Sequence, residues 1–339
     1  LKLERLNRLI EHDAANLTVT IQSGMALGAV QSILAGQKQF LPIDAPFPSR
    51  ATVGGIVAAN LNGPRRGYYG SVRDLVIGMK VVLPSGELIK AGGKVVKNVA
   101  GYDMCKLFVG SLGTLGIVTE VTLRLAPLAE SAATFLAAGT AAQAQSFLGE
   151  LFRSRLLPAA VFLVIEKPLD PWRVAVRFEA FAETVKRQLA DLEAISVRLG
   201  LDSTVKSAED HEELWRDVRD FPLRPERLMY RVAVPRAAVC DFAAQLRADN
   251  VVRTVVDASI GIVWLDCAPV RAAIGVFPKI ESLARQRGGH AVVFSAPAAL
   301  KRGINVWGTA PQIFPFMRDI KRQFDPHELL NPGRFVGGL

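Results

Sequence analysis

An α+β fold in two domains is the class this sequence predicts, and three observations carry it. The chain has 339 residues, half of them hydrophobic, enough for more than one packed core. From Pro42 to Pro127 it is dense in glycine and proline, with strand-like runs between the turns. After about residue 130 the texture changes, and Ala-rich amphipathic segments alternate with apolar runs of strand length. The domains predicted from this shift are 1–128 and 129–339, the second reading as α+β or α/β from its repeated strand and helix units, with an antiparallel sheet plus helices as the expected form.

Taken in order, Leu17–Gln22 alternates apolar and polar residues as a strand does, and Ala26–Leu34 places Leu27, Val30, Ile33 and Leu34 on one helical face. A proline-rich loop, Pro42 to Arg50, leads to Thr52, an N-cap for a short helix over Val53–Leu61. Asp74–Leu83 and Glu87–Lys90 flank Pro84-Ser85-Gly86, a turn sequence, and read as a hairpin. Gly116–Leu125 alternates as a further strand, and Pro127 stops it. In the second half, strands are predicted over Ala159–Ile165, Arg173–Ala180, Leu228–Val234, Ser259–Leu265 and His290–Ser295. Helices are predicted over Glu183–Leu199, Arg236–Ala248, Val270–Arg287 and Gln312–Phe324, followed by the tail FDPHELLNPGRF. Val185, Leu189, Leu192, Ile195 and Leu199 form a core stripe, and Trp215, Trp264 and Trp307 are expected to anchor the second core.

The net charge of +9 is spread along the chain, with no basic run or aromatic RNA-binding motif, so nucleic acid is not an expected partner. Cys105, Cys240 and Cys267 lie far apart, which predicts no metal or iron–sulfur site and fits a reducing, cytoplasmic compartment. No apolar run approaches the ~18 residues of a membrane span, and no signal peptide is visible. The sequence opens already amphipathic at Leu1, which suggests a fragment of a longer chain.

The glycines do not form a dinucleotide fingerprint of the G-x-G-x-x-G type, nor a Walker loop. Gly110-Ser111-Leu112-Gly113-Thr114-Leu115-Gly116 precedes a strand instead of following one, and a tight structural turn could use the same residues. It occurs together with Pro48-Ser49-x-x-Thr52-Val53-Gly54-Gly55-x-x-Ala58-x-Asn60, with Gly63 and Tyr69-Gly70-Ser71, with VVKNVAGYDMCKLFVGSLGTLGIVTE (Val95 to Glu120), and with Asn331-Pro332-Gly333-Arg334-Phe335. In this combination the chain resembles the vanillyl-alcohol oxidase/p-cresol methylhydroxylase (PCMH-type) flavoproteins, most of all the FAD-binding subunits of glycolate oxidase-type complexes.

The resemblance implies a PCMH-type FAD-binding domain followed by an FAD-linked oxidase C-terminal-like domain, with FAD as cofactor. It implies that Ser49, Thr52, Gly54, Gly55 and Asn60 line the pyrophosphate and flavin, and that Gly63, Gly70 and Ser71 continue that wall. Main-chain N–H groups at a helix start suit a diphosphate when no Cβ intervenes. Gly113, Gly116 and Ile117 would meet the adenosine end, and Asn331 would reach toward the flavin. The family's R-x-G-G-T/S pyrophosphate loop is expected in sequence before Leu1, so the FAD-binding domain is expected to be partial, its N-terminal part absent. The implied activity is oxidation of small 2-hydroxy acids, glycolate or D-lactate, to 2-oxo acids. The implied partners are a sister FAD subunit and an iron–sulfur subunit, with peripheral inner-membrane association through the complex.

No catalytic residue is assigned. The histidine-rich G-H-x-G-D-G-N-x-H sequence of related dehydrogenases is missing, and His12, His211, His290 and His327 stand apart. His211 reads as part of a solvated helix face, His290 as a structural or surface residue and His327 as part of the tail. Arg65, Arg66 and Arg73 could pair with a phosphate or carboxylate, or lie on a solvated loop. Tyr68, Tyr69 and Tyr102 could contact flavin or pack as wall, and Lys94 and Lys97 could face an anion or solvent. With no general base in view, the expected role is an accessory or electron-relay flavin site. The rivals are an autonomous 2-hydroxy acid oxidoreductase and a structural subunit with an empty flavin fold.

Overall fold

The computed structural model describes residues 2–93, 103–167, 170–206, 208–224, 226–246, 251–270, 274–302 and 304–339. Lys94, Lys97, Tyr102 and the run from Val95 to Gly101 lie outside the described residues. The chain divides into two units, Leu1–Leu128 with Thr309–Leu339, and Ala129–Gly308. The C-terminal 31 residues expected in the second domain therefore belong with the first unit.

In the first unit, β1 (Leu9–Asp13), β2 (Thr18–Gln22), β4 (Val76–Val82), β5 (Leu88–Gly92) and β6 (Ile117–Arg124) form an antiparallel sheet in the order β1-β2-β6-β4-β5. A short pair, β3 (Gln39–Phe40) with β7 (Ala126–Pro127), stands beside it. The period-2 pattern sets the faces. Val19 and Ile21 of β2 and Val121 and Leu123 of β6 enter the core, while Thr20 and Thr122 point the other way and share a hydroxyl bond of 3.0 Å. The Pro84-Ser85-Gly86 turn closes the β4–β5 hairpin as expected. Helix α1 (Leu27–Ala35) buries Leu27, Val30 and Leu34, each contributing about 1.5–3 kcal/mol; Ile33 is exposed instead. The C-terminal helix Phe314–Phe324 completes this core with Ile320 and Phe324, whose ring meets Phe108 edge-on at 5.8 Å.

The second unit is an eight-stranded antiparallel sheet of β8 (Ser131–Gly139), β9 (Ala160–Ile165), β10 (Trp172–Ala180), β11 (Asp202–Val205), β12 (Leu228–Ala233), β13 (Val251–Asp257), β14 (Ile262–Cys267) and β15 (His290–Ser295), in the order β11-β8-β10-β9-β13-β14-β12-β15. One face forms a large apolar core with the helices Ala141–Arg153, Ala182–Leu199, Val239–Gln245 and Phe277–Arg285. On the opposite face Phe162, Val164 and Val255 pack with Trp215, Val218 and Phe221, from the helix Ala208–Asp220 and the turn after it. Of the expected stripe, Val185 and Leu192 are buried and Leu189, Ile195 and Leu199 are partly buried. Trp172, which the sequence pattern did not single out, is buried at 1% exposure. Among the described residues, no helix is long and apolar enough to cross a membrane.

Candidate functional site

Helix α2 (Val53–Ala59) starts at Thr52, whose hydroxyl accepts from the Gly55 N–H at 3.3 Å. Val53 N–H donates to the Met25 carbonyl at 2.9 Å and Gly54 N–H to the Ser23 carbonyl at 2.7 Å. The donors expected to serve a diphosphate from this helix start are thus already engaged within the chain. What the α2 glycines provide is close approach: a Cβ on Gly54 would lie 2.6 Å from Ser23 Cβ and 2.9 Å from its carbonyl oxygen. A Cβ on Gly63 would meet the Asp44 carbonyl and one on Gly116 would meet Val81, so chain packing accounts for both. Gly55, by contrast, is exposed, with only Thr52 Oγ1 near its open side.

The far end of α2 meets the Gly110–Gly116 loop. Asn60 closes the helix in the left-handed conformation, φ 47°. Gly110 N–H donates to Val57 O at 3.0 Å and Leu112 N–H to Ala58 O at 2.8 Å. Gly113 has φ +69°, a conformation that favours glycine, and faces Asn331 Nδ2. Asn331 Nδ2 donates to Leu112 O at 2.6 Å. The structure therefore brings Thr52, Gly54, Gly55 and Asn60 together with Gly113, Gly116 and Asn331. Ile117 opens β6 opposite Val82 of β4, while the β2 ladder stops at Glu120, with Ser23 N–H bonding Thr119 O just beyond. The start of β6 thus outruns its β2 neighbour.

The remaining predicted residues line the loops beside α2. Ser49 is exposed ahead of the Thr52 cap. Ser71 caps the turn Val72–Leu75, donating from N–H (2.9 Å) and Oγ (2.6 Å) to Asp74, which holds the Asp74 carboxyl below its ordinary pKa. Gly70, φ +94°, precedes it. Asn62, absent from the expected set, stitches these loops: its Nδ2 donates to Asn60 O at 2.7 Å and its Oδ1 accepts from Val72 N–H at 2.7 Å. Arg65 is neither solvated nor offered to an anion. Its guanidinium grips Asp44, at 2.9 Å from Nε and 2.5 Å from the terminal nitrogen, and lies 4.6 Å over the Phe40 ring. Tyr69 packs edge-on to Phe40 at 5.3 Å as wall, while Arg73 stays exposed.

A second residue outside the expected set is Ser23. Its Oγ is buried beside Gly54 with no hydrogen-bond partner among the described residues. The sequence cue is its place in the sharp Gln22-Ser23-Gly24 turn after β2.

The C-terminal segment ties this region shut. Lys321, 4% exposed, donates to Thr114 O (2.8 Å), Leu330 O (3.1 Å) and the Asp325 carboxylate (2.5 Å). Asp325, fully buried, also accepts from Leu329 N–H at 2.9 Å and Leu330 N–H at 2.8 Å. Burial alone would raise the Asp325 pKa, but Lys321 and the two N–H donors hold it below the usual carboxylate value.

Two of the four histidines, His12 and His211, hold the fold together. His12 meets Gln39 at 3.0 Å. His211 is not on a solvated face: it is 4% exposed, its Nδ1 2.6 Å from Thr134 Oγ1, to which Trp215 Nε1 also donates at 2.7 Å. The reason is that the helix Ala208–Asp220 turns this side of itself onto the sheet. His290 and His327 are exposed. Among the described residues no group of three His, Cys, Asp or Glu side chains could hold a metal ion.

Residues 1–92 match the FAD binding domain family, and residues 309–335 match the C-terminal domain of FAD linked oxidases. The chain is 31% identical to the glycolate oxidase subunit GlcD of Bacillus subtilis (strain 168), over 98% of this chain and 78% of that protein. It is 28% identical to the glycolate oxidase subunit GlcE of Escherichia coli (strain K12), over 98% of this chain and 85% of that one. It is 30% identical to a D-2-hydroxyglutarate dehydrogenase of Xanthomonas citri pv. viticola, over 98% and 79%. Among solved structures, an alkyldihydroxyacetonephosphate synthase shares the fold with a TM-score of 0.69 at 17% identity, over 99% of this chain and 68% of that one. Both family matches fall within the first unit, so the segment matched as C-terminal serves the same body as the FAD binding match.

Proposed function

Because this chain belongs to the FAD-linked oxidase family and is an FAD-dependent oxidoreductase of glycolate oxidase type, we propose that it is the FAD-binding subunit of a complex that oxidises small 2-hydroxy acids, glycolate or D-lactate, to 2-oxo acids. The observation that carries this reading is the convergence of α2, the Gly110–Gly116 loop and Asn331 in one unit. Two features fit a flavin dinucleotide there: the buried Ser23 hydroxyl without a partner, and the open side of Gly55. When bound, FAD supplies a two-electron acceptor.

Under this proposal, Ser49, Thr52, Gly54, Gly55, Asn60, Gly63, Gly70 and Ser71 line the pyrophosphate and flavin. Gly113, Gly116 and the overrunning start of β6 at Ile117 take the adenosine end, and Asn331 approaches from the tail. Asp44 keeps the Arg65 charge internally balanced, so that Arg65 shapes the wall through Phe40 and Tyr69. The proposed role is accessory or electron-relaying, a reading that the bonding of His12 to Gln39 and of His211 to Thr134 fits. Relatives named as glycolate oxidase subunits support a sister flavin subunit. An iron–sulfur subunit would carry electrons onward, and the complex would sit in the cytoplasm or at the inner face of the membrane.

Anaerobic addition of glycolate or D-lactate to the purified flavin-loaded chain tests the role. Flavin bleaching only after the sister subunit is added is the expected result. Rapid bleaching of the isolated chain would replace the accessory role with an autonomous oxidoreductase, the reading that similarity to a D-2-hydroxyglutarate dehydrogenase favours. A colourless protein that still completes the complex would leave a structural subunit with an empty fold.

A further inference from the structure

We infer that Lys321 and Asn331 are positioning residues that set the peptide orientation of the cofactor loop, so that the C-terminal segment controls FAD affinity; this rests on the flavin reading above. Leu112 and Thr114 flank Gly113, and the carbonyl of each is held by a side chain from the C-terminal segment: Leu112 O by Asn331 Nδ2 at 2.6 Å, and Thr114 O by Lys321 Nζ at 2.8 Å. These contacts span 219 and 207 residues of sequence. In a planar trans peptide the C=O and the following N–H point in opposite directions. Drawing the two carbonyls onto the C-terminal segment therefore turns the Gly113 and Leu115 N–H groups away from it.

The anchor is built to hold. All three Lys321 donors are satisfied, its charge is matched by Asp325, and Asp325 is itself fixed by two backbone donors. Gly113 has no side chain to restrict its own dihedrals, so without these two anchors the loop samples other peptide orientations. A cofactor that binds one orientation then binds more weakly in proportion to the population of that orientation.

The test uses the full chain stripped of flavin, titrated with FAD by the quenching of flavin fluorescence. It compares wild type, Lys321→Met and Asn331→Gly, with the melting temperature of each measured without flavin. Glycine at 331 accommodates the left-handed conformation found there, φ 45°, and removes the side chain that holds the Leu112 carbonyl. At a temperature where all three are folded, the FAD Kd is expected to rise about tenfold in Lys321→Met and several-fold in Asn331→Gly, the latter with little change in melting temperature. If melting temperatures fall while FAD binds each variant as tightly as wild type, the segment is merely structural and the inference is overturned. If Lys321→Met does not fold, Asn331→Gly decides alone. Wild type that binds no FAD would bring down the flavin reading itself, a result distinct from equal binding by all three.

Discussion

Replacing Asp325 with alanine should strongly destabilise the first unit. Asp325 is fully buried, and it neutralises a lysine that is 4% exposed. Among the described residues, its removal leaves the Lys321 ammonium with the Thr114 and Leu330 carbonyls alone, and strips Leu329 and Leu330 N–H of their side-chain acceptor. Breaking a buried pair in this way costs about 3–5 kcal/mol, because the remaining charge stays desolvated. With a urea slope of about 2 kcal/mol per molar, a loss of ~4 kcal/mol lowers the midpoint by ~2 M. The assay can localise the damage. All four tryptophans, Trp172, Trp215, Trp264 and Trp307, lie in the second unit, so tryptophan fluorescence follows that unit while far-UV circular dichroism follows both. The expected result is an early transition in circular dichroism that tryptophan fluorescence does not share. A midpoint shift worth less than about 1 kcal/mol would place the pair among solvent-screened surface bridges and refute the reasoning.

Three further outcomes follow from the same geometry. Asp325 and Asp217 are both held below the ordinary carboxylate pKa, by Lys321 and by Arg253 respectively, against burial that would raise them. Their stabilisation is fully present above the unfolded value near ~3.9 and is lost as pH falls through the folded values, so urea midpoints should fall below about pH 4 and stay flat from these groups between about pH 5 and 8. Ser23→Ala should raise the flavin-free melting temperature, since an unpartnered buried hydroxyl costs about 1–3 kcal/mol, while weakening FAD binding; an unchanged Kd would remove Ser23 from the site. Gly54→Ala should cost about 1–3 kcal/mol by forcing a Cβ against Ser23, read as a lower urea midpoint by circular dichroism.

What was legible in the sequence was local. Pro84-Ser85-Gly86 announced its hairpin because turn chemistry resides in the turn itself. Thr52 announced the start of α2, and the alternation at Leu17–Gln22 announced β2. Strand β8 was hidden because SAATFLAAG has little β-branched character; its pairing with β10 and β11 makes it a strand. The helix Ala141–Arg153 did carry a signal, the Thr140 and Gln143 capping box, which the Ala-rich texture masked. In the candidate site, glycine spacing marked loops that the fold brings side by side but not the state of their donors, because whether an N–H at Gly54 is free depends on Ser23, from a different turn. Lys321 was invisible for the same reason. A lysine on an amphipathic helix reads as solvated, and its burial depends on a carbonyl 207 residues away.

The return of Thr309–Leu339 to the first unit has a consequence for biosynthesis. A ribosome delivers Ala129–Gly308 in full before it delivers the strip that holds Leu112 and Thr114, so the second unit can finish folding while the first still lacks its fastener. Until Lys321 and Asn331 emerge, the nascent chain carries a hydrophobic surface meant for Ile320 and Phe324. Truncation by a premature stop between Gly308 and Lys321 would therefore yield a protein whose later-made unit is sound and whose earlier-made unit is the casualty.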